Sequence, residues 1–147
     1  MVVGAPRRLL ATTALEESWG SGEDLLFLGE WCKRYERRHV WGARRHAVVP
    51  FHWDDRAKLK RDYFYLESLH GRLLQSIASA LNAFHETDHD VRYWQILVDP
   101  WLLSYLGVAF DRWECLRTAF EVNGSLEVLP VDVGDRMAAP FSYAEFE

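Results

Sequence analysis

Cysteine is nearly missing from this sequence. Cys32 and Cys115 are the two in 147 residues, far apart and without the paired spacing of a metal knuckle. A disulfide-stapled secreted scaffold is thereby excluded, and a reducing cytoplasmic setting is the expectation. No Gly-rich phosphate loop occurs, neither G-x-G-x-x-G nor a Walker pattern, which disfavours a dinucleotide enzyme and a P-loop kinase. Positive charge is in deficit: 17 Lys and Arg stand against 22 Asp and Glu, a net charge of -5, the wrong sign for gripping nucleic acid. The basic cluster Lys33, Arg34, Arg37, Arg38, Arg44 and Arg45 is flanked by acidic segments and reads as a solvated helix face. The apolar run 9–15 is short and meets Glu16-Glu17 at once, so no secretory leader is expected. With no repeat and no low-complexity linker, one domain over residues 1–147 is the expectation.

What the chain has is apolar and aromatic bulk, 49% hydrophobic with 14% aromatic. The densest stretch is 84–120. Residues 93–110 hold one charge, Asp99, close to the ~20 apolar residues of a membrane span. Asp99-Pro100 in its middle and the charged continuation 111–117 argue instead for a buried helix pair. Thr87 and Asp88 are N-cap types, so a first helix is expected over about 88–98. Pro100 should break it and open a second helix with Trp101 packed in the core. The second helix carries Leu102, Tyr105, Leu106, Ala109, Trp113, Leu116 and Phe120 at spacings of three and four. His85-Glu86-Thr87-Asp88-His89 matches H-E-x-x-H literally. That zinc chemistry needs both histidines on one helical face with the Glu as base. Cap residues between the two histidines argue against it, and no metal is expected here.

Upstream, the short apolar runs 8–13 (RLLATT), 25–29 (LLFLG) and 46–50 (HAVVP) read as strands separated by helical segments. This predicts adjacent parallel strands in an α/β fold, a Rossmann-like sheet of three to four strands with three long helices. Asp54 is expected to cap a helix with the stripe Leu59, Tyr63, Leu66, Leu73, Ile77, Leu81 and Phe84. A fourth strand is expected within 125–131, weakened by Pro130. The tail from 134 holds Phe141, Tyr143 and Phe146 but no closing element. In open α/β sheets ligands gather beyond the carboxyl ends of the strands. That rule selects Thr12, Thr13 and Glu16, then Gly29, Glu30, Trp31 and Cys32, then His52, Trp53, Asp54 and Asp55. Glu30, His52 and Glu16 are the candidate acid–base groups. Thr12, Thr13, Gly29, Trp31, Trp53 and Asp54 are candidate substrate-binding residues, with Arg92 beside the Tyr93-Trp94 pair. Each also has a plainer reading, as a helix cap or a core aromatic.

Four blocks carry a resemblance: ATTALEESW at 11–19, FLGEWC at 27–32, PFHWDDR at 50–56, and RYWQIL at 92–97 with PWL at 100–102. In this order they resemble the N-terminal part of a transferase family found in O-antigen and surface-carbohydrate gene clusters, whose members are much longer. The resemblance implies an N-terminal portion of a two-domain, glycosyltransferase-like protein lacking its C-terminal domain. It further implies a nucleotide-sugar donor, a carbohydrate or lipid-linked acceptor, no bound cofactor, and a cytoplasmic location, peripheral at the inner membrane. It transfers no established catalytic residue. Two other readings stay open: a non-catalytic interaction module, and a metal-dependent hydrolase using His85, Glu86 and His89.

Overall fold

A computed structural model describes residues 8–21 and 24–132. The tail aromatics Phe141, Tyr143 and Phe146 lie outside the described residues. The chain forms two compact units, Met1–Val49 with Ala119–Glu147, and Pro50–Thr118.

The first unit is a four-stranded, fully parallel sheet in the order β3-β2-β1-β4. The strands are β1 Arg8–Ala11, β2 Asp24–Phe27, β3 Arg45–Val48 and β4 Leu126–Glu127. The three apolar runs thus form adjacent parallel strands, as their length and separation imply, and the fold is α/β. Leu10, Ala11 and Leu25 through Leu28 are buried, the near-continuous burial of a parallel sheet covered on both faces. Trp19, 1% exposed, meets Phe27 edge-on at 5.2 Å. Short 3₁₀ turns and one four-residue helix, α1 Arg38–Trp41, join these strands.

The second unit is an antiparallel hairpin of α2, Arg56–His85, and α3, Val91–Asn123, which runs on past the unit. Asp55, not Asp54, caps α2, its carboxylate accepting from the amides of Ala57 and Lys58. The pairs Lys58–Glu114, His70–Asp99 and Asn82–Trp94 set the antiparallel register.

Several expectations fail in this hairpin. There are two long helices rather than three among the described residues. α3 starts at Val91, where Asp90 accepts from the Tyr93 amide. And it runs unbroken through Pro100 to Asn123. The proline forfeits one backbone bond, but Gln95 bridges to Asp99, which also accepts from His70 of α2. Trp101 is 58% exposed and stacks on Tyr105 rather than on the core. The buried positions of α3 are Trp94, Leu102, Glu114, Cys115 and Ala119, whereas Tyr105, Trp113 and Phe120 are exposed. On α2, Leu74 and Ala78 are buried, while Leu59, Tyr63 and Phe84 of the expected stripe are exposed. Leu102→Ala is therefore expected to cost ~2–5 kcal/mol and Trp101→Ala less than ~1 kcal/mol in urea denaturation. Equal losses would place Trp101 in the core after all.

Candidate functional site

Four parallel strands in the order β3-β2-β1-β4 reverse direction of growth between β1 and β4, the switch point where such sheets bind ligands. Beyond β1, Thr12 is half-buried. The Thr13 hydroxyl accepts from the Leu15 amide and pairs with Ser18 Oγ at 3.3 Å, while its carbonyl accepts from Trp19 Nε1. Thr13 thus builds the turn that presents Glu16. That carboxylate forms a two-pronged pair with Arg37, 2.9 Å from Glu16 Oε2 to Arg37 Nη2. The Arg37 bonds hold its carboxyl below the ordinary range. With Ala14, Leu15, Glu17 and Arg34 this pair lines an open groove of about 360 Å³.

Beyond β2, Gly29 is held by the Trp31 indole, not by backbone strain. A Cβ built on Gly29 would lie 2.0 Å from Trp31 Cζ3, so any side chain there expels the ring. Glu30 is 77% exposed and pairs with Lys33 at 3.0 Å.

In the second unit, His52, Trp53 and Asp54 make one 3₁₀ turn. The His52 side chain is 2% exposed, and its Nε2 lies 3.0 Å from Asp111 Oδ1. Its Nδ1 is buried without a hydrogen-bond partner, an arrangement that costs ~1–3 kcal/mol in a folded protein. Phe51, Trp53 and Phe110 surround the ring at centroid distances of 5.3, 4.5 and 6.3 Å. Asp111 also accepts from Arg112 and from the Cys115 thiol at 3.8 Å. Burial, then the Asp111 charge, push that thiol up to about 11, so Cys115 is a donor and not a nucleophile. Trp53 Nε1 donates to Asp62, which together with Glu114 clamps the Lys58 ammonium. Asp54 and Arg92 are exposed, Arg92 donating to Gln95.

Among the described residues, two clusters have metal-ligand spacing: His52, Asp111, Cys115, and His52, Asp62, Glu114. In the second, the Lys58 ammonium already sits on both carboxylates. In the first, the Arg112 guanidinium holds Asp111 and the thiol keeps its proton.

The profile of a family described as LIC12162 family transferase matches residues 8–147. This chain belongs to that transferase family. Comparison with curated proteins and with solved structures gave no match. No helix among the transferase's described residues is long and apolar enough to cross a membrane.

The H-E-x-x-H residues of this transferase do not share a helix. His85 ends α2, Glu86 sits in the left-handed conformation at φ 53, and His89 precedes α3, stacked on Tyr93 at 3.9 Å. We expect purified protein to retain no zinc after dialysis. One equivalent of metal, lost in a His85→Ala, His89→Ala double variant, would overturn that.

Asp111, Lys58 and Asp62 are not among the site residues that the sequence selects. Lys58–Asp62 and Asp111–Cys115 are one helical turn apart, a local signal. No pattern in the sequence joins His52 to Asp111.

Proposed function

We propose that this chain is the N-terminal portion of a glycosyl-transferring enzyme of surface-polysaccharide or O-antigen biosynthesis, completed by a C-terminal domain. The single observation that carries this is the all-parallel sheet with a β1/β4 switch point in a chain of a transferase family. A transfer of this class brings an acceptor hydroxyl onto the sugar carbon of a nucleotide-sugar donor while the nucleotide leaves. It needs a base on the hydroxyl and a site that positions both partners. The acid–base residues proposed are Glu16 and Glu30 in the first unit and His52 in the second. Glu16, which Arg37 holds ionised, serves best as a charged positioning group. Thr12, Thr13, Gly29 and Trp31 are proposed as binding residues of the first unit, and Trp53, Asp54 and Arg92 of the second. The acceptor is a carbohydrate or a lipid-linked saccharide, handled at the cytoplasmic face of the inner membrane.

The test is a panel of labelled sugar nucleotides offered with a lipid-linked acceptor to the complete protein and to the 147-residue chain. Turnover is expected for the complete protein and none for the chain alone. A second reading, a non-catalytic interaction module, is favoured by one observation. α3 exposes Ile96, Leu97, Leu103 and Val108, each more than half exposed, and a helix apolar on most sides is ordinarily covered. Absence of turnover in the complete protein would move this reading ahead.

A further inference from the structure

The strongest unexplained group in the molecule is the buried Nδ1 of His52, which no part of the described chain satisfies. Three donors converge on Asp111: His52 Nε2, Arg112 and the Cys115 thiol. A carboxylate among three donors can only accept, so the ring nitrogen facing it carries the proton. A neutral imidazole with its proton on Nε2 leaves a bare lone pair on Nδ1.

We propose that Asp111 is a positioning residue that fixes His52 in the Nε2–H tautomer, making Nδ1 the base that takes the proton of an acceptor hydroxyl. The proposal rests on the transferase reading above. In the step it assigns, the hydroxyl proton passes to Nδ1 and the oxygen lone pair forms the bond to the sugar carbon. The bond from that carbon to the donor's phosphate oxygen breaks, and its electron pair leaves with the nucleoside diphosphate. The imidazolium so formed keeps its Nε2 proton on Asp111, which stabilises the new charge. Trp53 and Phe110 stack on each other beside the ring, 16° from parallel with centroids 6.2 Å apart, and apolar rings of this kind pack their free faces against sugar C–H groups. For a hydroxyl to reach Nδ1 a neighbouring ring must move, and Phe51, 47% exposed, is the most exposed of the three.

The test has a spectroscopic arm and a turnover arm. In ¹⁵N-histidine spectra of this chain at pH 8, His52 is expected to show a protonated Nε2 and a bare Nδ1. Asp111→Asn presents an amide that can donate to Nε2, so the His52 proton is expected to move to Nδ1 while the other histidine signals stay in place. A wild-type His52 protonated at Nδ1, or averaging between tautomers, overturns the proposal. So does an Asp111→Asn variant that leaves the tautomer unchanged. In the complete protein Asp111→Asn is expected to lower kcat by at least ~10²-fold with KM little changed, the comparable tautomer error costing ~10⁴-fold in a hydrolase triad. A flipped tautomer with wild-type turnover makes His52–Asp111 a structural pair and leaves the transferase reading standing. A wild-type protein with the expected tautomer but no sugar transfer overturns that reading, and the base role falls with it.

Discussion

Lys58→Met is expected to cost the second unit ~3–5 kcal/mol, the range for stripping one partner from a buried ion pair. The Lys58 ammonium sits in the first turns of α2, bonded to Asp62 one turn on and to Glu114 Oε2 at 2.7 Å across the hairpin. The three side chains are 17%, 15% and 8% exposed. The ammonium also lies 5.5 Å from the centroid of the Phe110 ring. Without it two carboxylates share a poorly solvated site, with Arg117 left to neutralise Glu114.

The pH dependence follows from the same contacts. Burial pushes the Glu114 carboxyl up, but the bonds from Lys58 and Arg117 outweigh it and hold it below its ordinary range. That contribution is present above the ordinary carboxylate value of ~4.3 and is lost as pH falls through the lowered folded value. Burial pushes the Lys58 ammonium down, but the bonds to Asp62 and Glu114 outweigh it and raise it. Its contribution is present below the ordinary ~10.4 and is lost as pH rises through the raised folded value. Denaturation followed by helix circular dichroism should show a plateau between roughly pH 5 and 8, because the raised Cys115 thiol makes stability fall above its ordinary ~8.5, before the Lys58 loss above ~10.4. Lys58→Met removes only the Lys58 part of the alkaline edge. A loss below ~1 kcal/mol would place the cluster among solvent-screened surface pairs.

β1 and β2 were legible because each is a short apolar run that ends buried, where composition alone carries the signal, and β3, half-buried over 46–48, by its length and its place after a helical segment. The fourth run kept two paired residues, Leu126 and Glu127. The hairpin was legible in length but not in facing. Residues 93–108 are apolar on most sides, so spacings of three and four select no unique stripe. The packed line instead steps by four from buried Trp94 and Leu102, with half-buried Val98, Leu106 and Phe110, to buried Glu114, where an acid is admitted because Lys58 meets it. Pro100 misled because the local rule prices one lost bond and a kink, while packing against α2 and the Gln95–Asp99–His70 chain hold the helix through it. At the candidate site the strand-end rule selects His52 and Glu30 without a partner for either. Asp111 is 59 residues beyond His52, and only the fold brings it there.

In the longer transferase proposed above, His52→Ala and Glu30→Gln are expected to lower kcat far more than they lower stability. The two variants probe opposite situations. Glu30 is exposed on a 3₁₀ turn, with its pair to Lys33 worth little, so Glu30→Gln should change stability by no more than ~0.5 kcal/mol. Any loss of turnover in it reports on chemistry or substrate binding beyond β2. His52 is buried against three aromatic rings, so His52→Ala leaves a cavity and must be compared at equal fraction folded. Removing a general base from a transfer reaction costs ~10²–10⁴-fold in kcat. A stability loss alone cannot imitate that in a preparation whose thermal transition remains well above the assay temperature. Thermal denaturation and turnover on the same preparations separate the effects. If His52→Ala loses turnover and Glu30→Gln does not, the acid–base chemistry belongs to the His52–Asp111 pair and the exposed carboxylate beyond β2 is a surface group. If both keep wild-type turnover, the strand-end residues are structural and the interaction-module reading moves ahead.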